Sequence, residues 1–259
     1  MNGISFMSAN YVARQTGYAM HGWGHGDRTT QEHFSPLETY SERLDEMLAD
    51  VRALGFEAVD VWGAHLHPSW ATDEHVAAAR ELLDRHGLTV TSYAPFVERG
   101  AEERACEIAV AIGTTLLGGM AADLPGFVPV LRERGVRLGI ENHPERSPRE
   151  VLAKIVHNED VLGATVDTGW WGTQGYDAAR AIEELGDHVF HVHLKDVLAL
   201  GEPHETCRWG AGIVPIEECV RALQRIGYTG AITVEHEPER ADPGEEVRAM
   251  RELLSAWLR

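Results

Sequence analysis

Four stretches of this 259-residue chain run apolar or β-branched and then stop on an ionisable side chain: Glu141 in Arg-Leu-Gly-Ile-Glu-Asn, Asp167 in Ala-Thr-Val-Asp-Thr, His193 in His-Val-His-Leu-Lys and Glu235 in Ile-Thr-Val-Glu-His. Ionisable groups at the ends of apolar strands are costly unless they are partnered. One divalent cation shared by three carboxylates and an imidazole would partner all of them. The donor set is hard and oxygen-rich, which suits Mn(II), Mg(II) or Co(II), with Zn(II) also able to bind it, and it differs from the sulfur-containing sets of structural zinc. A cation so held can take two adjacent oxygens of a sugar, polarise a carbonyl and stabilise the enediolate formed when a neighbouring C–H proton leaves; a carboxylate is the natural base for that step.

Strand parity tests the idea of a single site. Side chains alternate across a strand, so Ile140, Val166, Val192, Leu194 and Val234 are expected to face outward and Glu141, Asp167, His193 and Glu235 inward. Lys195 and His191 share the face of His193, which makes the lysine a donor to a substrate oxygen and the histidine a substrate contact. Lysine occurs only at positions 154 and 195. His143 shares the parity of Glu141 and is a candidate proton donor or substrate ligand. His65 and His67, in Trp-Gly-Ala-His-Leu-His-Pro, are substrate-binding candidates, and His21 and His25 are weaker ones. Parity sends His236 outward and leaves Glu237 ambiguous, because it lies beyond the strand end. Trp170 and Trp171 are suited either to stacking on a sugar face or to packing their loop.

Eight strand candidates must position these groups: residues 4–8, 56–62, 88–94, 114–117, 137–141, 163–167, 189–194 and 231–235. Helical periodicity fills the gaps. Leu44, Met47, Leu48, Val51 and Leu54 form one apolar stripe, and a glycine suited to the left-handed C-terminal position follows at Gly55. The same helix-glycine-strand junction returns at Gly87, Gly113, Gly135 and Gly227. Ser147-Pro-Arg-Glu and Asp242-Pro-Gly-Glu each start a helix with a capping residue, then proline, then glutamate. Eight strands alternating with helices over residues 1–259 predict one domain, a (β/α)8 TIM barrel with its reactive groups at the C-terminal strand ends; a doubly wound open sheet is the alternative. Residues 168–176 and 195–215, the latter carrying Arg208, are longer than turns require, and as loops at a barrel mouth they are candidate substrate walls.

Composition removes other classes. A formal charge of −18 provides no basic footprint for nucleic acid or for an anionic membrane surface. No apolar run approaches the ~20 residues a bilayer span needs, and the N-terminus has no signal-peptide pattern, so a soluble cytoplasmic protein is expected. Cys106, Cys207 and Cys219 are odd in number and lack Cys-x-x-Cys spacing, which argues against both a disulfide framework and a thiolate metal site.

Gly-Ile-Glu-Asn-His, Val-Asp-Thr-Gly, His-Val-His-Leu-Lys-Asp and Thr-Val-Glu-His, in that order, resemble the xylose-isomerase-like TIM-barrel family of sugar isomerases and epimerases over nearly the whole chain. The resemblance implies that Glu141, Asp167, His193 and Glu235 bind one divalent cation, often Mn(II), and that Glu141 and Glu235 flank a small carbohydrate substrate and exchange its proton. Many members carry histidine three residues after the metal aspartate, where this chain has Trp170. That difference counts against a ketohexose substrate and against the apurinic-site endonucleases of the superfamily, which need that histidine for three zinc ions. The Asp-Thr-Gly-Trp and Leu-Lys-Asp-Val segments are similar to a branch acting on 3-oxo-glycosides by β-elimination or hydration. Isomerisation or epimerisation is the leading expectation, such a lyase or hydratase the alternative, and a sugar-binding barrel without catalysis a third. Homo-oligomers, or a small accessory subunit in the lyase branch, are the partners this resemblance implies.

Overall fold

In the computed structural model, which describes residues 2–201 and 203–259, eight parallel strands close into a barrel in strictly sequential order. Met1 and Glu202, the latter within the 195–215 segment, lie outside the described residues. The strands are β1 (Ile4–Met7), β2 (Ala58–Trp62), β3 (Thr89–Ala94), β4 (Leu116–Leu117), β5 (Arg137–Glu141), β6 (Leu162–Asp167), β7 (Val189–Leu194) and β8 (Ile232–Val234). The open-sheet alternative is thereby excluded, since β1 pairs with both β2 and β8. The expected β4 is trimmed to two residues and β8 ends before Glu235, although the Glu235 N–H still donates to Leu194 O at 3.1 Å and so extends the ladder.

Periodicity explains how the helices dress this barrel. Leu44, Met47, Leu48, Val51 and Leu54 are all buried along the helix Leu37–Ala53 and just past its end, and Gly55 follows at φ 89°. Gly87, Gly113, Gly135 and Gly227 also take positive φ after their helices, which lets each chain reverse into a strand without a Cβ penalty. The two expected caps differ. Asp242 accepts the Gly244 N–H at 2.8 Å, whereas Ser147 gives its hydroxyl to Glu150 instead of receiving a helix N–H, and Glu150 takes the Arg146 N–H at 3.0 Å.

Outward residues of the strands, among them Ile140, Val166, Val192, Leu194 and Val234, join one core between barrel and helices. The interior of the barrel is polar: Ser5, Asp60, Ser92, Thr165, His191 and Thr233 are buried there. The three cysteines are free and buried, and burial pushes the thiols of Cys106 and Cys207 up to about 12, leaving them protonated at neutral pH.

Candidate metal centre

Residues 168–176, expected as a loop, begin with a short helix, Thr168–Thr173. Its start is built from the candidate ligand itself: Asp167 Oδ1 accepts the N–H groups of Gly169 and Trp170 at 2.8 and 3.0 Å. Asn142 locks the two strand ends together, with its amide oxygen accepting the Asp167 N–H at 2.7 Å and its amide nitrogen donating to Asp167 O at 3.0 Å. Oδ2 of Asp167 is thereby aimed into the barrel. Gly169 keeps the way open, because a Cβ there would lie 2.6 Å from Cγ of Lys195.

The four strand-end groups converge. His193 Nδ1 lies 3.0 Å from Glu141 Oε1 and 3.7 Å from Glu235 Oε2, and ligand atoms of these three residues all fall within 4.8 Å of one another. Glu141 forms a second such group with His143 and Asp167, so it links all the predicted ligands. His143 Nε2 stands 3.1 Å from Asp167 Oδ2. Lys195 Nζ sits 3.1 Å from Asp167 Oδ2, 3.1 Å from Glu235 Oε2 and 2.9 Å from Glu237 Oε2, which places Glu237 at the site as well.

Burial and charge pull against each other here. Desolvation raises carboxyl pKa values, yet His143 and His193 hold Glu141 below its ordinary range, and Lys195 and His143 hold Asp167 well below. Glu235 goes the other way: desolvation pushes it well up, and Lys195 only partly opposes this. Burial alone would discharge His193 and Lys195, but Glu235 and its neighbouring acids drive the imidazole up, and Asp167, Glu235 and Glu237 keep the lysine an ammonium. Oε2 of Glu235 is buried and makes no hydrogen bond, although the ammonium stands within ion-pair distance of it. An orphaned carboxylate oxygen facing an imidazole nitrogen and a second carboxylate fits a divalent cation, so Glu141, Asp167, His193 and Glu235 could hold one.

The remaining candidates are dispersed. Trp170 packs at the mouth between His143 and His204, with ring centroids 4.4 and 5.8 Å away, while Trp171 is fully buried as packing. His204 was not singled out by the sequence and arrives on the 195–215 segment. Asp196 ties that segment down by accepting the N–H groups of Val197, Gly210, Gly212 and Val214 at 2.9 to 3.1 Å. Arg208 is exposed on the same segment, its carbonyl accepting the Ala211 N–H at 2.9 Å. His67 is half-buried and bonded to Ser69 Oγ at 2.7 Å, and His21 and His25 pair at the periphery. His236 faces outward to Glu246 at 2.7 Å.

His65 and His191 depart from the expected substrate-facing placement. His65 is fully buried against Phe34 with Nδ1 3.3 Å from Ser8 Oγ, because the short turn Gly63–His65 after β2 packs against the helix Trp23–Phe34. His191 shares the face of His193 but sits two residues deeper in the barrel, where its Nε2 meets Asp60 and Thr233. Asp60 went unnoticed in the sequence; its one signal is an acid at an inward position inside the apolar run Ala-Val-Asp-Val.

The xylose isomerase-like TIM barrel family model matches residues 48–257. The chain belongs to that family. Among solved structures, a D-allulose 3-epimerase from Methylomonas sp. superposes with a TM-score of 0.71 at 16% identity, covering 99% of this chain and 98% of that one. A probable 3-DHS dehydratase from Bacillus anthracis gives 0.70 at 12% identity, covering 98% and 99%. A xylose isomerase-like TIM barrel protein from Mycobacterium smegmatis, solved in complex with magnesium, gives 0.68 at 17% identity, covering 100% and 98%. Likeness at these identities shows the shared fold. Among the described residues, no helix is long and apolar enough to cross a membrane.

Proposed function

We propose that this protein is a divalent-cation-dependent enzyme that removes a proton from the carbon beside a sugar carbonyl and acts as an isomerase or epimerase. The observation that carries this reading is the convergence of two buried carboxylates, Glu141 Oε1 and Glu235 Oε2, on one nitrogen of His193 at 3.0 and 3.7 Å. Glu141, Asp167, His193 and Glu235 hold the cation, with Mn(II) the best suited to the set. When bound, it supplies the charge that acidifies the carbon next to a carbonyl and stabilises the enediolate. Glu141 and Glu235, reaching the site from either side of β7, take and return the proton. His143 and Lys195 bind substrate oxygens, and Trp170 offers an apolar wall at the entrance.

Elimination from a 3-oxo-glycoside, or hydration of its product, is the second reading. It is favoured by the Lys195 ammonium, a proton source 3.1 Å from Glu235, which can protonate a departing oxygen once the neighbouring proton is gone. Incubation with Mn(II), a panel of ketoses and 3-oxo-glycosides in heavy water, followed by NMR, tests both. Deuterium at the carbon beside the carbonyl with the skeleton kept supports isomerisation or epimerisation, and loss of a leaving group supports elimination. A protein that binds no divalent cation and exchanges no hydrogen with any of these sugars would overturn the proposal.

A further inference from the structure

Behind the candidate cation site lies a carboxylate that belongs to none of the four strand ends. Asp60, inside β2, is fully buried. Its Oδ2 lies 2.9 Å from His193 Nε2 and 2.5 Å from His191 Nε2, and its Oδ1 accepts the Ser92 hydroxyl at 2.6 Å. Thr233 Oγ1 stands 3.1 Å from the same His191 nitrogen. The network thus runs from β2 and β3 across the barrel interior to β7 and β8.

A carboxylate only accepts, so the hydrogen between Asp60 and His193 must sit on Nε2 of the imidazole. Nδ1 also stands 3.0 Å from the Glu141 carboxylate, so without a cation the ring carries a hydrogen on each nitrogen; a divalent cation beside Glu141 and Glu235 would replace the one on Nδ1, and the one held by Asp60 would stay on Nε2. The same bond fixes the rotation of the ring. We infer that Asp60 is the positioning residue of the centre: it keeps a hydrogen on Nε2 of His193 and turns Nδ1 toward Glu141 and Glu235, so that Nδ1 is the nitrogen a divalent cation there would take, while His191 and Ser92 hold Asp60. The inference rests on the reading of that cluster as a cation site. Asp60, His191 and His193 also lie close enough to ligate together, but both oxygens of Asp60 already have hydrogen-bonding partners.

Two measurements decide it. In unaltered protein labelled with ¹⁵N and loaded with Zn(II), long-range proton–nitrogen correlation, with His193 assigned by comparison with His193→Gln, should find the hydrogen on Nε2 and the metal shift on Nδ1. The reverse assignment overturns the inference, and this experiment needs no Asp60 variant to fold. Calorimetric titration should then show Asp60→Asn binding Mn(II) about 10- to 100-fold more weakly than wild type, the size usual for the outer partner of a metal-bound histidine. Wild-type binding with Asp60→Asn within two-fold of it overturns this inference alone. A wild type that binds neither Mn(II) nor Zn(II) overturns the cation site and the inference with it.

Discussion

His65 and His193 are both fully buried near the same end of one barrel, yet they are driven in opposite directions. His65 follows β2 among aromatic rings, and burial brings its pKa down to about 3, so it stays neutral. His193 suffers the same desolvation, but Glu235, Asp60 and Glu141 surround it and carry it well above the ordinary imidazole range. The difference extends to the two halves of the barrel. β1 to β4 end on Met7, Trp62, Ala94 and Leu117, while β5 to β8 deliver Glu141, Asp167, His193 and Glu235. Apart from Asp60 inside β2, the strand ends of one half form a neutral wall and those of the other concentrate charge. Burial sets the cost of a charge, and the partners within 4 Å decide whether that cost is met.

The largest effect should come from breaking the charged half at its shared member. Glu141→Gln keeps the shape but loses the base, and exchange of substrate hydrogen with solvent should fall by roughly 10²- to 10⁴-fold, the usual weight of a positioned acid–base group. Hydrogen exchange measured by NMR on the responsive sugar checks this. A variant within three-fold of wild type would leave Glu141 a bystander.

Lys195→Met attacks the balance of charge instead. It removes an ammonium that faces Asp167, Glu235 and Glu237, and an uncompensated buried charge typically costs about 3–5 kcal/mol. Urea unfolding of the metal-free protein should show a loss of that order. The loss should shrink when Mn(II) is added, since a second cation then partners the same carboxylates. Equal losses with and without Mn(II) would separate the lysine from the cation site.

The charged half was far more legible in the sequence than the wall. Parity alone placed Glu141, Asp167, His193 and Glu235 on one inner face, because alternation along a strand is local and the closed barrel carries it into space. Asp60 escaped because its meaning lies in partners 131 and 133 residues away, and a single acid within an apolar strand does not announce them. His191 has the right face and the wrong depth, and depth depends on the stagger between strands, which no single strand encodes. The helix Thr168–Thr173 was hidden by glycines and tryptophans of poor helical propensity; its start is held by the carboxylate of Asp167, a tertiary circumstance.

On the wall, the contrast between the two histidines predicts a pH effect of its own. A group whose folded pKa is depressed below its unfolded value near 6.5 contributes fully above pH 6.5 and loses that contribution as pH falls, because only the unfolded chain then binds the proton. His65→Phe removes the term while keeping the ring. Between pH 6.5 and 5, wild type should therefore lose about 1.6 kcal/mol relative to the variant, since the unfolded imidazole is half protonated at pH 6.5 and the slope reaches one full proton only below it. Urea midpoints for both proteins across that range check it, and a pH-independent difference between them would mean that His65 is charged in the fold.

The smallest expected change sharpens the boundary between the halves, because it falls two residues from Asp60 on the same strand. Trp62 ends β2 with its indole N–H donated to Asp27 Oδ1 at 2.8 Å and its ring edge on Trp23, 6.2 Å between centroids. Trp62→Phe deletes a half-exposed hydrogen bond and some ring contact, a loss of about 1 kcal/mol in stability. None of these partners touches Glu141, His193 or Glu235, so Mn(II) affinity should stay within two-fold of wild type. Asp60→Asn should instead weaken Mn(II) binding by about 10- to 100-fold. Measuring both variants by unfolding and by Mn(II) titration asks whether strand membership or hydrogen-bond connection assigns a residue to the centre. If Trp62→Phe weakens the cation as much as Asp60→Asn does, the two halves are mechanically one, and the imidazole is positioned by the packing of β2 as a whole instead of by a single carboxylate.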